Sequence, residues 1–472
     1  MKKTLLAAAI ALATASVVTP KYVATQFDAE LESAFKKIND SGSVILTIEK
    51  KDIGWFSSSV DATFAINAEL FEADPEMKAS FESMKLAQGI PFNIAAKHGP
   101  FLFTDQASLG GLQAVMTVAA DVIPEKVEFD RTQPFFKSVY TVDFNGSVVF
   151  EEAMQAISFT EDEGQFVLHA YKGKGTSSAN GTEYKGGTAG IEMVTDDMTI
   201  FEAKNLGIST SMKEDFFSVL GQPAFNGDAK ITLESFKLAD AIMDGQKFDL
   251  QGFSIGVGSA YESSDDLASI LVNYHFDQVN IAEIDMSDMN IDLSLKNIKM
   301  QAMNELQQFS TQLQSGALDP DLEEKVKSLL LDLVSHAPEF GFTNISTTFP
   351  EGKMNLDMNV AVQPFDSFPE PGANPAEFSK NFSGVANAFV DHGAALHIAE
   401  MSLTRQLRQN PDMQSMSDDE FNAIVKQHAP GMLQTFEQQG LMTKTEKGYE
   451  FHASFKDGVA TLNGNPVPLP WM

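Results

Sequence analysis

The sequence predicts an α+β protein dominated by β-structure: a long twisted antiparallel sheet, with helices concentrated in the C-terminal third. Three observations predict it. Apolar residues alternate with polar ones at a period of two from about residue 43 to about residue 300, as in strands with one covered and one wet face. Asn-Gly pairs, the strongest short hairpin signal, punctuate that region at Asn145-Gly146 and Asn226-Gly227. Beyond it the apolar spacing changes to three and four, the step of a helix face.

Taken in order, Phe27, Leu31, Phe35 and Ile38 form one helical stripe. Residues 43–50 and 55–68 read as strands joined near Asp52 to Gly54, and Val60, Ala62, Phe64 and Ile66 keep the strand period. Tyr140, Val142 and Phe144 run into Asn145-Gly146, which as a two-residue hairpin calls for positive φ at both positions. The glycine-rich stretch from Gly173 to Gly190 reads as a flexible excursion or loop. Ile291, Leu293 and Leu295 face one way while Asp292, Ser294 and Lys296 face the other. Ala302, Leu306, Phe309 and Leu313 mark a helix, and Asp319-Pro320 opens another with Leu322, Val326, Leu329, Leu330, Leu333 and Val334 as its stripe. Phe342 to Thr348 and Met354 to Val362 form a hairpin, Phe365 to Asn374 a loop, and Asn374-Pro375 opens a further helix. Ser417-Asp418-Asp419-Glu420 is a capping box before Phe421, and the chain closes on strands 449–455 and 459–462. This divides the chain into a signal peptide or N-terminal anchor (1–25), a β-rich region with one N-terminal helix (26–300), and a mixed α+β region completing the same fold (301–472).

Composition narrows the function classes. Acidic residues outnumber basic ones by 65 to 33, a formal charge of −32, and Arg131, Arg405 and Arg408 are the only arginines. Such a surface repels nucleic acid and anionic headgroups, so neither is expected as a partner. The chain has no Cys, which excludes disulfides and thiolate chemistry. Its 37 Phe and 21 Met, beside two Trp and seven Tyr, suit broad sheet faces. At the N-terminus Lys2 and Lys3 precede the apolar run Leu5 to Leu12 and the A-x-A site Ala13-Thr14-Ala15. That is the pattern of a secretory signal, and the short apolar run favours cleavage over an uncleaved anchor.

No arrangement of residues stands out as a catalytic, cofactor or metal site. Gly252-Phe253-Ser254-Ile255-Gly256 matches the nucleophile-elbow pattern, but no helical stripe follows it, so Ser254 reads as a strand residue. Ser33 to Lys36 matches S-x-x-K on a surface helix without its usual partners. His392, His397 and Glu400 are the only local cluster with metal-binding side chains, and their spacing does not converge on one helix face. Asp285, Asp288 and Asp292 lie on a strand, outside any calcium loop. There is no phosphate loop and no dinucleotide fingerprint, so no cofactor is expected.

Three short features carry a likeness: Gly54-Trp55-Phe56-Ser57-Ser58 entering an early strand, His98-Gly99-Pro100-Phe101 after another, and the ending from Phe455 through Asp457-Gly458 to Asn463-Gly464. With the Lys-led N-terminal segment and the helix-rich final third, the chain resembles the YdgA-like family of bacterial envelope proteins of unknown function. The resemblance implies a periplasm-facing protein of Gram-negative bacteria and brings no catalytic residues. Gly54, Trp55, Phe56, His98, Gly99, Pro100, Phe101, Asn463 and Gly464 are therefore expected in structural roles. The expected function is that of a non-enzymatic periplasmic protein, released after cleavage or tethered to the inner membrane. It would bind a lipid or other hydrophobic ligand along a sheet groove. The alternatives are a scaffold for other envelope proteins and a serine hydrolase using Ser254. The sequence leaves oligomeric state open.

Overall fold

The computed structural model describes the chain except for residues 1, 41, 43, 68–88, 104–106, 162–163, 196–197, 220–223, 240–247, 283, 309–319, 370–374, 410–415 and 468–472. The expected N-cap Asp319, the stripe residues Phe309 and Leu313, and the end of the Phe365–Asn374 loop fall outside the described residues. Two compact units emerge, residues 1–234 and residues 235–472.

In the first unit the helix α1 (Lys2–Asp40) runs unbroken through Pro20. The sequence stripe began at Phe27; the helix extends back because the preceding Ala- and Leu-rich run is itself a strong helix former. Then follow β1 (Val44–Ile53), β2 (Ser57–Ile66), β3 (Ile90–His98), the ribbon β4 (Phe101–Phe103) and β5 (Ala107–Leu109), and β6 (Leu112–Val118). Next come β7 (Phe136–Val142), β8 (Val148–Met154), β9 (Ile157–Glu161), β10 (Gly164–Leu168), β11 (Tyr171–Ser178), β12 (Gly181–Thr195) and β13 (Thr199–Met212). They pair antiparallel in the order β1-β2-β3-β6-β7-β8-β11-β12-β13, while the hairpin β9-β10 adds to the second half of β12. The core lies where Phe27, Leu31 and Phe35 of α1 cover Val60, Ala62, Phe92, Ile94, Ala96 and Ala114 of β2, β3 and β6. Asp28 and Glu32, one turn apart on α1, hold the Lys51 ammonium of β1 at 2.6 and 2.5 Å. Their hydrogen bonds, Asp28 first, raise the Lys51 pKa.

The glycine-rich stretch is a correction to the sequence reading. Gly173 to Gly190 belongs to the paired strands β11 and β12, not to a loop. Rings of neighbouring strands lie over the glycines: a Cβ at Gly173 would meet the Tyr184 hydroxyl at 2.4 Å, one at Gly175 the Phe150 ring at 2.4 Å, and one at Gly186 the Tyr171 hydroxyl at 2.2 Å. Tyr140, Phe150 and Tyr184 stack in a row, with centroids 5.9 and 5.7 Å apart. Glycine here makes room for aromatic side chains on a strand. The Asn145-Gly146 turn also differs from expectation. Only Gly146 has positive φ, at +84°. Asp143 and Ser147 close a three-residue loop, the form in which a left-handed glycine follows a type I turn.

β14 (Gly227–Leu238) contains the residues at which the units divide. In the second unit β15 (Phe248–Glu262), β16 (Leu267–Ile281), β17 (Ile284–Lys299), β18 (Glu339–Phe349), β19 (Gly352–Val362) and β20 (Phe382–Asp391) form an antiparallel meander. After β21 (Thr443–Lys444), β22 (Gly448–Lys456) joins β20, and β23 (Val459–Leu462) and β24 (Asn465–Val467) extend the sheet from β22. The helices α2 (Met300–Gln308) and α3 (Pro320–Val334) sit between β17 and β18 in sequence. α4 (His392–Arg408) and α5 (Asp418–Gln438) form a hairpin whose core is Ala395, Ala399, Ala429 and Leu433. One half of the capping box closes: the Glu420 amide donates to Ser417 Oγ at 3.4 Å, while the Glu420 carboxylate accepts from the Ser417 hydroxyl at 2.9 Å in place of the Ser417 backbone amide.

Among the described residues no helix is long and apolar enough to cross a membrane.

Candidate functional site

Strand alternation sorts the second unit's sheet into two unlike faces. In register across β15 to β20, Val257, Val272, Leu293, Phe342, Met358 and Ala386 form one row. Ile255, Tyr274, Ile291, Ile345, Leu356 and Ala388 form the next, continued by Phe451 of β22. Ile270, Leu295, Phe340 and Val360 lie in a third. None of these side chains is buried, and Phe340 is 41% exposed. The buried apolar residues on β15 to β20 are Ala268, Val279, Ile298 and Phe349; Phe349 continues the Ile345 side of β18, where His397 of α4 lies against its ring.

The opposite face is closed by polar rungs. Asp292 accepts from Asn273 and, at 3.3 Å, from Asn344. His275 Nδ1 meets Asn290 Oδ1 at 2.8 Å and its Nε2 meets Asp277 Oδ1 at 3.0 Å. Asn387 donates to Asp357 at 2.8 Å and its amide oxygen meets His452 Nδ1 at 2.5 Å. A sheet face whose amides and carboxylates satisfy one another has little left to offer a ligand. The apolar face is about 24 Å across six strands, longer than one bilayer leaflet of about 15 Å; α4 covers its margin, where His397 lies against the Phe349 ring and Val390 and Tyr449 pack on the helix hairpin.

The residues singled out from the sequence fall in two places. Gly54, Trp55, Phe56, His98, Gly99 and Pro100 meet at one end of the first unit's sheet. The Gly54 amide donates to Ser57 O at 3.0 Å, the His98 amide to Phe56 O at 2.9 Å, and the Gly99 amide to Gly111 O at 2.7 Å. A Cβ on Gly99 would sit 1.7 Å from Gly110 O, so glycine is obligatory at this crossing. Pro100 follows through a cis peptide, and Phe101 opens β4. His98 is 3% exposed, against the Phe27 ring, and burial lowers its pKa. Trp55 and Phe56 are 48% and 57% exposed, and Phe144, in the neighbouring β7–β8 turn, is 60% exposed. Asn463 and Gly464 belong to the second unit, at positive φ between β23 and β24. The Asn463 side chain accepts from the His452 amide and donates to Gly440 O, each at 2.8 Å.

Ser254 is 4% exposed in the middle of β15, paired with His275. Both His275 ring nitrogens are engaged elsewhere, which leaves none for the serine hydroxyl. Ser33 and Lys36 lie on exposed turns of α1, where Lys36 pairs with Asp40. His392 bonds Thr445 O at 3.1 Å, whereas His397 lies by Glu351 and the Phe349 ring. Asp285, Asp288 and Asp292 are strand residues of β17. Among the described residues no three His, Asp or Glu side chains converge on a metal site.

One cluster was missed. Tyr184 donates to Glu152 Oε2 at 2.9 Å and hydrogen-bonds Tyr171, and burial raises the pKa of both Glu152 and Tyr171. Its sequence signal is the spacing of Tyr171, Gly173 and Gly175 against Tyr184 and Gly186.

The sequence matches the family described as "Bacterial protein of unknown function (DUF945)" over residues 1–470. The chain belongs to that family. No curated protein matches this DUF945 member.

Proposed function

We propose that this DUF945 protein is a non-enzymatic protein of the bacterial envelope that holds a lipid or other long-chain amphiphile along the apolar face of its second unit. The observation that carries this reading is the set of partly exposed apolar rows through Leu293, Ile291 and Leu295, backed by a face of self-satisfied polar rungs. Chains that expose large contiguous apolar surface generally use it. Each methylene laid on that surface contributes about 0.8 kcal/mol, so a single acyl chain accounts for useful affinity. The Lys2-Lys3 start, the apolar run and Ala13-Thr14-Ala15 support export to the periplasm, with release after Ala15 or tethering by the first part of α1.

The test is titration of the delipidated chain with a fluorescent fatty acid. Saturable binding at one ligand per chain, without turnover, is the expected result; absence of saturation ends the reading. N-terminal sequencing of envelope material checks the export step, with Ser16 as the expected first residue.

A second reading, a scaffold for other envelope proteins, is favoured by Trp55, Phe56 and Phe144 exposed at one end of the first unit. Exposed aromatics of this kind anchor protein interfaces. Cross-linking through a photoreactive group at Trp55 in intact cells distinguishes it: a discrete protein adduct supports the scaffold.

A further inference from the structure

The face of the first unit's sheet opposite α1 carries a concavity of about 540 Å³ lined by Lys137, Lys172, Lys174 and Lys185, with Glu151 and Glu152 also at its wall. We propose that this concavity is a binding site for a ligand bearing two or more phosphate groups.

Register puts the four lysines on one face. Lys137, Ala153, Lys172 and Gly187 are successive partners across β7, β8, β11 and β12. Two residues along, Val139, Glu151, Lys174 and Lys185 are partners across the same strands. Lys174 and Lys185 therefore stand directly opposite each other, about 5 Å apart at Cβ, an arrangement in which like charges destabilise a sheet. Lys137 and Lys172 flank the small Ala153, so both side chains are free to lean over it. The two pairs lie in rows about 7 Å apart.

The chain had ample means to neutralise these charges and does not. It carries 65 acidic residues, and elsewhere it holds Lys51 between two of them. Among the described residues none of the four lysines makes an ion pair or a side-chain hydrogen bond, although Glu151 is the cross-strand neighbour of Lys174. Glu152 offers no compensation either, since its carboxylate accepts from Tyr184 on the other face. The net charge of −32 argues that anions are repelled at large, which makes this local excess of cations the exception.

The ligand chemistry follows from the donor set. Four ammonium groups supply point charges with freely rotating donors, which suit phosphate oxygens. One carboxylate would leave most of that charge uncompensated, whereas a diphosphate matches it and reaches both rows. The phosphate is carried by a free polyphosphate or by a lipid headgroup.

The experiment titrates pyrophosphate into the full chain by calorimetry at low and moderate salt. One pyrophosphate per chain, with affinity falling steeply as salt rises, is expected. The double variant Lys174→Gln/Lys185→Gln loses about tenfold or more in affinity. Lys444→Gln/Lys447→Gln, which changes net charge equally in the other unit, stays within about twofold. No binding by the parent chain, or equal losses in both variants, overturns the site. Sedimentation with cardiolipin vesicles, whose headgroup carries two phosphates, and with phosphatidylcholine vesicles separates the sources. Retention on the former that excess pyrophosphate displaces assigns a lipid headgroup; pyrophosphate binding without retention assigns a soluble phosphate. Absence of both responses overturns the proposal.

Discussion

The rings of Phe27 and His98 lie 5.9 Å apart, and through that contact α1 is seated on the last residue of β3. His98 is 3% exposed and neither ring nitrogen has a hydrogen-bonding partner of good geometry. Burial is the main cause of its lowered pKa; the Trp55 backbone opposes the shift, and the Lys21 charge adds to it. The folded state thus keeps the imidazole neutral where the unfolded chain, titrating at about 6.5, takes up a proton. Below that pH the unfolded state binds more protons, so stability falls as pH falls. In thermal melts, the advantage of wild type over His98→Phe is expected to shrink between about pH 8 and about pH 5.5. Parallel pH profiles for the two proteins would show that the buried imidazole carries no such linkage.

A second expectation concerns the β7–β8 turn. Gly146 has φ of +84° and open space where a Cβ would go, so strain alone decides the cost of a side chain there. Gly146→Val is expected to lose about 1–3 kcal/mol, because a β-branched residue is poorly tolerated at positive φ. Asn145→Val, at a position without positive φ, should lose less, about 0.5–1 kcal/mol, for the hydrogen bond its side-chain oxygen accepts from the Ser147 amide at 2.9 Å. Denaturant unfolding with unchanged slope checks both; equal losses would mean that the turn is of the two-residue type.

The contrast between these turns shows how far the sequence was legible. Asp457-Gly458 has positive φ at both residues, as a two-residue hairpin requires, whereas Asn145-Gly146 does not. The dipeptide marks a turn, but loop length depends on where Asp143 and Ser147 close the ladder. The period-two pattern placed Ile291, Leu293 and Leu295 on one face correctly, since alternation is a local property. It said nothing of Gly173, Gly175 and Gly186 as strand residues, because what makes glycine acceptable there is an aromatic ring from a neighbouring strand. The apolar rows were foreseeable as a composition rich in Phe and Met; that α4 covers only their margin, at Phe349, Val390 and Tyr449, depends on tertiary placement. The lysine concavity was invisible for a similar reason: Lys137, Lys172 and Lys185 are distant in sequence and meet only through the register of four strands.

Third, Ser417 caps α5, accepting from the Glu420 amide at 3.4 Å and donating to its carboxylate at 2.9 Å. Loss of that oxygen leaves a helix-end amide without its partner. Ser417→Ala is expected to cost about 1 kcal/mol, and Ser417→Asp to restore most of it. Chemical denaturation measures the difference, and a neutral Ser417→Ala would mean that solvent satisfies the helix end equally well.

The last expectation tests the apolar face itself. Phe340 and Met358 are unburied on β18 and β19, so charging them perturbs the fold less than charging a core residue. If an acyl chain lies along the rows, Phe340→Asp and Met358→Asp each remove contact with about two methylenes. The expected loss is about 1.5 kcal/mol, roughly tenfold in Kd. Ser254→Ala, buried within β15, changes no group on that face and should leave fatty-acid binding unaltered. Loss of binding with Ser254→Ala and retention with both Asp variants would move the ligand off the apolar rows. Full retention in all three would remove the sheet face as the binding surface, leaving the exposed Trp55, Phe56 and Phe144 as the place to look for a partner.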